Sequence, residues 1–220
     1  MTTNDRISRL TVAMTRLPLV AILRGLRPQE AAPIGPALEE AGFALIEVPL
    51  NSPQPFDSIA TLRRQLGPDT LVGAGTVTRV ADVARLKDLG ADLVVMPHAD
   101  TTVIHAAKLA GMVCIPGVVT PTEALAALEA GADALKLFPA ELVTPAVMKA
   151  MRAVLPREAA LLPVGGITPA SLAPWLRAGA SGFGLGSALY APGADATTVA
   201  RHAADFVRAW REYLAASPPD

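Results

Sequence analysis

The sequence predicts an α/β fold, a single-domain (β/α)8 TIM barrel over residues 1–220 with an extra N-terminal helix. Three observations carry that expectation. Short apolar runs recur at 19–25, 45–51, 71–77, 93–98, 113–119, 134–139, 161–167 and 182–190, with roughly 20–27 residues from one start to the next. They are too short and unbroken for amphipathic helices and suit strands buried on both faces, as a parallel sheet requires. Segments of helical periodicity fill the gaps. A shared punctuation, Ala41-Gly42-Phe43, Leu89-Gly90-Ala91, Ala130-Gly131-Ala132 and Ala178-Gly179-Ala180, suggests one unit reused. Such alternation in one domain means a doubly wound sheet or a closed barrel. The reused unit, with no Rossmann glycine fingerprint after the first run, favours the barrel.

Taken in order, residues 4–16 place Ile7, Leu10 and Met14 in an extra helix, so that residues 1–18 would cap the N-terminal mouth. Pro33 and Pro36 are expected to break or delay the helix after the first strand. Residues 79–90 put Val80, Val83, Ala84 and Leu86 on one stripe and end at Gly90, a favourable residue just past a helix. Residues 121–131 begin with proline after Thr120, a good N-cap, and also end in glycine. Residues 169–179 repeat the device after Thr168, although Pro174 should distort the first turns. Val199, Ala203, Phe206, Trp210 and Leu214 stripe the last helix, and the Pro-rich tail 217–220 is expected to fray.

Composition narrows the function. At 51% hydrophobic, a chain of 220 residues can bury a large core. Lys and Arg total 19 against 20 Asp and Glu, a net charge of −1 that leaves no electrostatic footprint for nucleic acid or an anionic membrane. The single cysteine, Cys114, excludes an internal disulfide framework and fits a reducing compartment. One Cys with scattered His98, His105 and His202 offers no zinc spacing. The N-terminus lacks the apolar core of a signal peptide, and no apolar run approaches bilayer length. A soluble, cytoplasmic protein is expected.

The chemistry centres on Lys136, set in the apolar run Ala134-Leu135-Lys136-Leu137-Phe138. In a half-exposed strand it would simply point to water. With apolar flanks on both sides, either face should meet packed protein, and a desolvated ammonium must be paired or lose its proton. Such a lysine is a candidate Schiff-base amine. Barrel active sites form at the C-terminal strand ends, where Arg24, Glu47, Thr76, His98 and Lys136 would all fall. If Lys136 points inward, Ala134 and Phe138 share its face while Leu135 and Leu137 pack on helices. Likewise Glu47 points in with Leu45 and Pro49, leaving Ile46 and Val48 outside. A Glu47–Lys136 ion pair serving stability alone is the competing reading, although buried pairs seldom justify their desolvation.

Gly165-Gly166 and Gly184-Leu185-Gly186-Ser187 belong to the last two runs, where backbone amides of such barrels cradle phosphate. Glycine there can also merely relieve crowding, and Ser187 can merely cap a turn. Amine, carboxylate and cradle together suggest class I aldolase chemistry on a phosphorylated keto acid, with Glu47 moving protons. At the usual lysine pKa only about one amine in a thousand is neutral near pH 7.4; at a pKa of about 8 it is roughly one in five. Arg24 could supply part of that shift, which an ionised Glu47 would oppose. No metal is needed.

At these residues the sequence resembles the keto-deoxy-phosphogluconate and keto-deoxy-phosphogalactonate aldolases over nearly its whole length. The marks are Ile22-Leu23-Arg24-Gly25, Glu47-Val48-Pro49-Leu50-Asn51-Ser52-Pro53, Gly73-Ala74-Gly75-Thr76-Val77, Lys136-Leu137-Phe138-Pro139, Val164-Gly165-Gly166-Ile167 and Gly184-Leu185-Gly186-Ser187. The resemblance implies a cofactor-free (β/α)8 class I aldolase, usually a homotrimer, with Lys136 forming the Schiff base and Glu47 as general acid-base. It implies that Arg24, Thr76 and Pro97 hold the pyruvate half and that Gly165, Gly166, Gly186 and Ser187 hold the phosphate, with Phe138 and Val164 also at the substrate. The Pro-Leu-Asn-Ser-Pro run, Arg24 and Val164 look like the galactonate branch. Phe138-Pro139-Ala140-Glu141 looks more like the gluconate branch, and Met96-Pro97-His98 matches neither. The expected reaction is cleavage of 2-dehydro-3-deoxy-6-phosphogalactonate to pyruvate and glyceraldehyde 3-phosphate, with the gluconate epimer, or both, as the alternative. Two other classes stay open: a phosphate-binding barrel isomerase or synthase using Glu47 as base, and a sugar-phosphate binding module without activity.

Overall fold

The computed structural model describes residues 3–216, with side chains from residue 9 onward. Helix α1 (Thr3–Arg16) precedes strand β1 (Leu19–Ile22) and helix α2 (Pro28–Glu40). Then follow β2 (Leu45–Pro49), α3 (Pro55–Gln65), β3 (Leu71–Gly75), α4 (Val80–Asp88), β4 (Leu93–Val95) and α5 (Thr101–Leu109). The fifth run is split into β5 (Val113–Ile115) and β6 (Gly117–Val118), leading to α6 (Pro121–Glu129), β7 (Leu135–Leu137) and α7 (Pro145–Arg152). The chain ends with β8 (Leu161–Pro163), a 3-10 turn at Pro169–Ser171, α8 (Leu172–Arg177), β9 (Phe183–Leu185) and α9 (Ala196–Ala216). The side chain of Ile7 and the tail 217–220 lie outside the described residues.

Every pairing is parallel. One sheet runs β5-β4-β3-β2-β1-β9 and the other β6-β7-β8. Pro116 separates β5 from β6 because it has no N–H to donate, yet its carbonyl still accepts from Lys136 N at 2.9 Å. At the other margin a bridge pairs Val164 with Gly184, and Ser181 N donates to Leu161 O at 2.9 Å. Strands begin within a residue of where the apolar runs begin but stop earlier. Thr76, at φ 54, and Gly165 and Gly166, at φ 119 and 62, turn the chain out of the ladder while apolar neighbours such as Val77 and Ile167 stay buried in the loops.

Alternation along the strands makes two cores. Val20, Leu45, Leu71, Leu93, Val113, Ala134 and Leu162 pack together on one side, with Leu10 and Ala13 of α1 against them. Ile46, Val48, Leu135 and Leu137 face the helices in the larger core. The inward and outward assignments for β2 and β7 therefore hold.

The helices differ from expectation in three places. Pro33 and Pro36 lie within α2, which continues through both. Ala31, Ile34, Gly35 and Leu38 bury its inner face, and Pro33 is exposed. The carbonyls that these prolines leave without an intrahelical donor belong to Gln29 and Ala32, which are not buried, so helical packing outweighs the missing bonds. In α4 only Val83 and Leu86 of the four stripe residues are buried; Val80 and Ala84 are exposed, because the helix buries a narrower arc and adds Asp82 to it. In α9 the buried stripe holds Val199, Ala203 and Phe206, Trp210 is partly buried, and Leu214 is 48% exposed where the helix outruns its neighbours. Pro174 distorts the start of its helix as expected: a 3-10 turn leads into α8. Thr120 accepts from Glu123 N in a full capping box. Among the described residues no helix is long and apolar enough to cross a membrane.

At the N-terminal end of the strands Asp92 gathers the frame. Its carboxylate accepts from Arg9 Nη1 at 2.8 Å, Arg63 Nη1 at 2.7 Å and Val72 N at 3.2 Å, tying α1 and α3 to β3. Arg63 also donates to the carbonyls of Leu66, Gly67 and Thr70. Removing a buried charge from such a network strands its partners. Asp92→Ala is expected to lower stability by about 3 kcal/mol in urea unfolding, with less effect on turnover per folded molecule.

Candidate active site

Strand β7 carries Lys136 between Leu135 and Leu137, and β2 carries Glu47 between Ile46 and Val48. Both are buried. Because the flanking residues face the helices, alternation sends Lys136 and Glu47 to the inner side. Glycine makes the space. Gly75 of β3 lies where any side chain would strike the Glu47 carboxylate. Gly117, in register with Lys136, brings the backbone of Pro97 within 2.6 Å of where its Cβ would be. That is how Pro97 comes close beside the lysine strand. Thr76 follows Gly75 directly, in a left-handed conformation at φ 54.

Electrostatics follow from this burial. The Glu47 carboxyl is pushed up to about 7, mainly by desolvation, with Lys136 and then Arg24 pulling the other way. Lys136 lies below the ordinary lysine value, again mainly through desolvation; Glu47 opposes the shift and Arg24 adds to it. The two groups feel each other without touching. None of the ion pairs among the described residues joins them, and Glu47 Oε2 is buried without a hydrogen-bond partner. This argues against a pair kept for stability alone. The Phe138 ring centroid lies 4.6 Å from Lys136 Nζ.

A cavity of about 420 Å³ opens beside the amine. Of the residues singled out in the sequence, Lys136, Arg24, Phe138, Val164, Gly165, Gly166, Gly186 and Ser187 line it. Glu47, Thr76 and Pro97 do not line it: the Glu47 carboxylate lies against Gly75, which Thr76 follows in the chain, and the Pro97 backbone lies against Gly117. His98 does not line it; it is exposed, and its carbonyl accepts from Gly117 N at 3.3 Å. Arg24 is held over the mouth by donating from Nη1 to Asn51 Oδ1 at 2.8 Å, and Gly25 N donates to the buried Ser52 Oγ at 2.9 Å. Gly25, at φ 84, also brings the chain against Pro192, whose Cγ would be 2.7 Å from an added Cβ.

Three polar lining residues were not among the site residues expected from the sequence: Glu141, Thr168 and Tyr190. Glu141 sits within the lysine stretch, but nothing in its spacing points to Gly165. Tyr190 donates to Glu30 Oε2 at 3.1 Å, across the fold, and burial, with the Glu30 carboxylate adding to it, pushes its hydroxyl up to about 12. Among the described residues no group of three or more His, Cys, Asp or Glu is placed to hold a metal. The arrangement offers an amine, a guanidinium and glycine turns at one opening, with a buried carboxyl that titrates near neutrality within the field of the amine.

Comparison with known proteins gives this site its context. The family model for KDPG and KHG aldolase matches residues 10–201. The chain is 48% identical to the 2-dehydro-3-deoxy-6-phosphogalactonate aldolase of Escherichia coli, over 90% of this chain and 97% of the relative. It is 47% identical to a probable 2-dehydro-3-deoxy-6-phosphogalactonate aldolase of Rhizobium meliloti, over 90% of this chain and 93% of the relative. A solved structure described as native KDPGal superposes with a TM-score of 0.89 at 46% identity, covering 91% of this chain and 97% of that one. A family match running from α1 into α9, with near one-half identity to relatives over nine-tenths of the sequence, leaves one conclusion: the chain belongs to the KDPG and KHG aldolase family.

Proposed function

We propose that the chain is a class I aldolase cleaving 2-dehydro-3-deoxy-6-phosphogalactonate to pyruvate and glyceraldehyde 3-phosphate. One observation carries this reading most: Lys136 is a buried amine with lowered basicity, set beside a buried carboxyl that it does not pair with. Neutral Lys136 attacks the C2 ketone, and loss of water leaves an iminium. Glu47 takes the proton of the C4 hydroxyl; the C3–C4 bond breaks, its electrons enter the iminium, and an aldehyde departs. Protonated Glu47 then returns a proton to C3 of the enamine, and water releases pyruvate and the amine. The iminium is the electron sink, so the scheme calls for no cofactor or metal.

Arg24, Thr76 and Pro97 take the pyruvate half, Phe138 borders the reacting carbons, and Gly165, Gly166, Gly186 and Ser187 take the phosphate. Val164 lines the cavity with methyl groups, and its lack of a hydroxyl favours the galactonate epimer. The relatives at 47 and 48% identity support the same choice. The Ala140-Glu141 pair after Phe138-Pro139 favours a second reading, in which the gluconate epimer is also cleaved. The same account takes residues 1–220 as one domain and its strands as a closed (β/α)8 barrel, supported by the Val164–Gly184 bridge and by Leu10 and Ala13 packing among the strands. It takes the assembly as a cytoplasmic homotrimer with small-molecule partners only, neither nucleic acid nor membrane.

Turnover on the two epimeric acids, followed as pyruvate release, tests the assignment. The galactonate epimer is expected to react at least about tenfold faster in kcat/KM; absence of pyruvate release from either acid contradicts it. Lys136→Met is expected to lose at least about a thousandfold in kcat, and Glu47→Gln about a hundred- to ten-thousandfold.

The pH dependence has a definite sign. Glu47 must start as the base and Lys136 as the free amine, so kcat/KM falls on the acid side, and in Glu47→Gln the step centred near 7 is lost while the fall from protonation of Lys136 remains. Stability moves oppositely. Raising the carboxyl from 4.5 to about 7 means that the folded state holds an extra proton between those values. That stability is present below pH 4.5 and is lost as pH rises through 7, a change of about 3 kcal/mol. Urea unfolding at pH 5 and pH 8 is expected to show this slope in the unaltered protein and not in Glu47→Gln.

A further inference from the structure

The cavity carries a charge that the mechanism does not use. Arg24, Lys136 and Glu141 are its charged lining residues. Arg24 and Lys136 belong to the pyruvate end, whereas Glu141 stands against the glycine turn. A methyl group built on Gly165 would collide with Oε2 of Glu141 and lie 3.0 Å from Oε1; one on Gly166 would lie 3.5 Å from Oε1. Glycine at 165 is what lets the carboxylate come so near this backbone. The side chain is exposed, and none of the ion pairs among the described residues involves it. No basic side chain lines this end of the cavity. A phosphate dianion on the amides of Gly165 and Gly166 therefore sits beside an uncompensated carboxylate.

We infer that Glu141 is a specificity-determining residue whose charge weakens the hold on phosphate-bearing ligands, substrate and aldehyde product alike. The inference rests on the phosphate assignment made above. Like charges a few ångströms apart in partly solvated surroundings lower affinity by about tenfold. The carboxylate disfavours a dianionic chain end and tolerates a neutral hydroxyl. It thus narrows the gap between phosphorylated and unphosphorylated keto-deoxy acids that the glycine turn alone would set, and it eases departure of glyceraldehyde 3-phosphate.

Glu141→Gln keeps the size and removes the charge at an exposed position. Kinetics on the phosphorylated acid and on its unphosphorylated counterpart, at low and high salt, read the effect. KM for the phosphorylated acid is expected to fall about tenfold, or about 1.4 kcal/mol, with kcat no higher and the unphosphorylated acid unaffected. The difference between the two proteins should close near 1 M salt, where the screening length is about 3 Å. An unchanged KM overturns the inference; a raised KM overturns it too and makes Glu141 a grip on substrate hydroxyls. Hydrogen–deuterium exchange at pyruvate C3 separates the two levels of the account, because it needs the Lys136 end alone. Normal exchange in both proteins with an unmoved KM sinks only the role of Glu141. Absence of exchange in the unaltered protein sinks the aldolase reading beneath it.

Discussion

An amine and a carboxyl lie inside the strands, within each other's field, and do not join. Buried opposite charges ordinarily collapse into a contact pair, because each alone is costly to desolvate. Here the backbone keeps them apart. Glu47 belongs to the larger sheet and Lys136 to the middle strand of the smaller one. Each is fixed in register by neighbours on both sides, Glu47 by Ile22 and Gly73, Lys136 by Gly117 and Leu162. Their backbones therefore cannot approach each other without breaking a ladder. Desolvation then acts on both, raising one group and lowering the other, and the two titrations approach neutrality. A protein that pushes an acid up and an amine down has prepared both for proton exchange at physiological pH.

Close packing around glycine supports this separation. Gly75 yields its side-chain volume to the Glu47 carboxylate, Gly117 to the backbone of Pro97, and Gly165 to Glu141. At Gly25 the first loop meets Pro192 of the last one, which brings the guanidinium of Arg24 and the turn after β9 to the same opening. The wall of the cavity is therefore assembled from distant parts of the chain, held where side chains are missing. Behind it, the Asp92 network ties α1 and α3 to the opposite end of the strands.

Much of this was legible in the sequence, and the rest was not for identifiable reasons. The onset of each apolar run marks where the chain enters the core, so strand starts are readable. Strand ends are not, because Leu23, Val77, Met96 and Ile167 stay buried after the ladder stops. Period-two alternation located Lys136 and Glu47 on the inner face, since Leu135, Leu137, Ile46 and Val48 had to pack outside. Local rules failed where tertiary packing overrode them: α2 runs through Pro33 and Pro36 because its buried face holds it in place. The contacts of Arg24 with Asn51 and of Tyr190 with Glu30 join residues far apart in the chain, and no spacing rule reaches them.

The central claim is that Lys136 is a neutral nucleophile in the working protein. Treatment with pyruvate and borohydride, followed by peptide mass mapping, tests it most directly. The account predicts irreversible loss of activity with one reduced pyruvate adduct on Lys136 and none on Lys87, Lys108 or Lys149. An adduct on one of those other lysines, or full activity with no added mass, would contradict it.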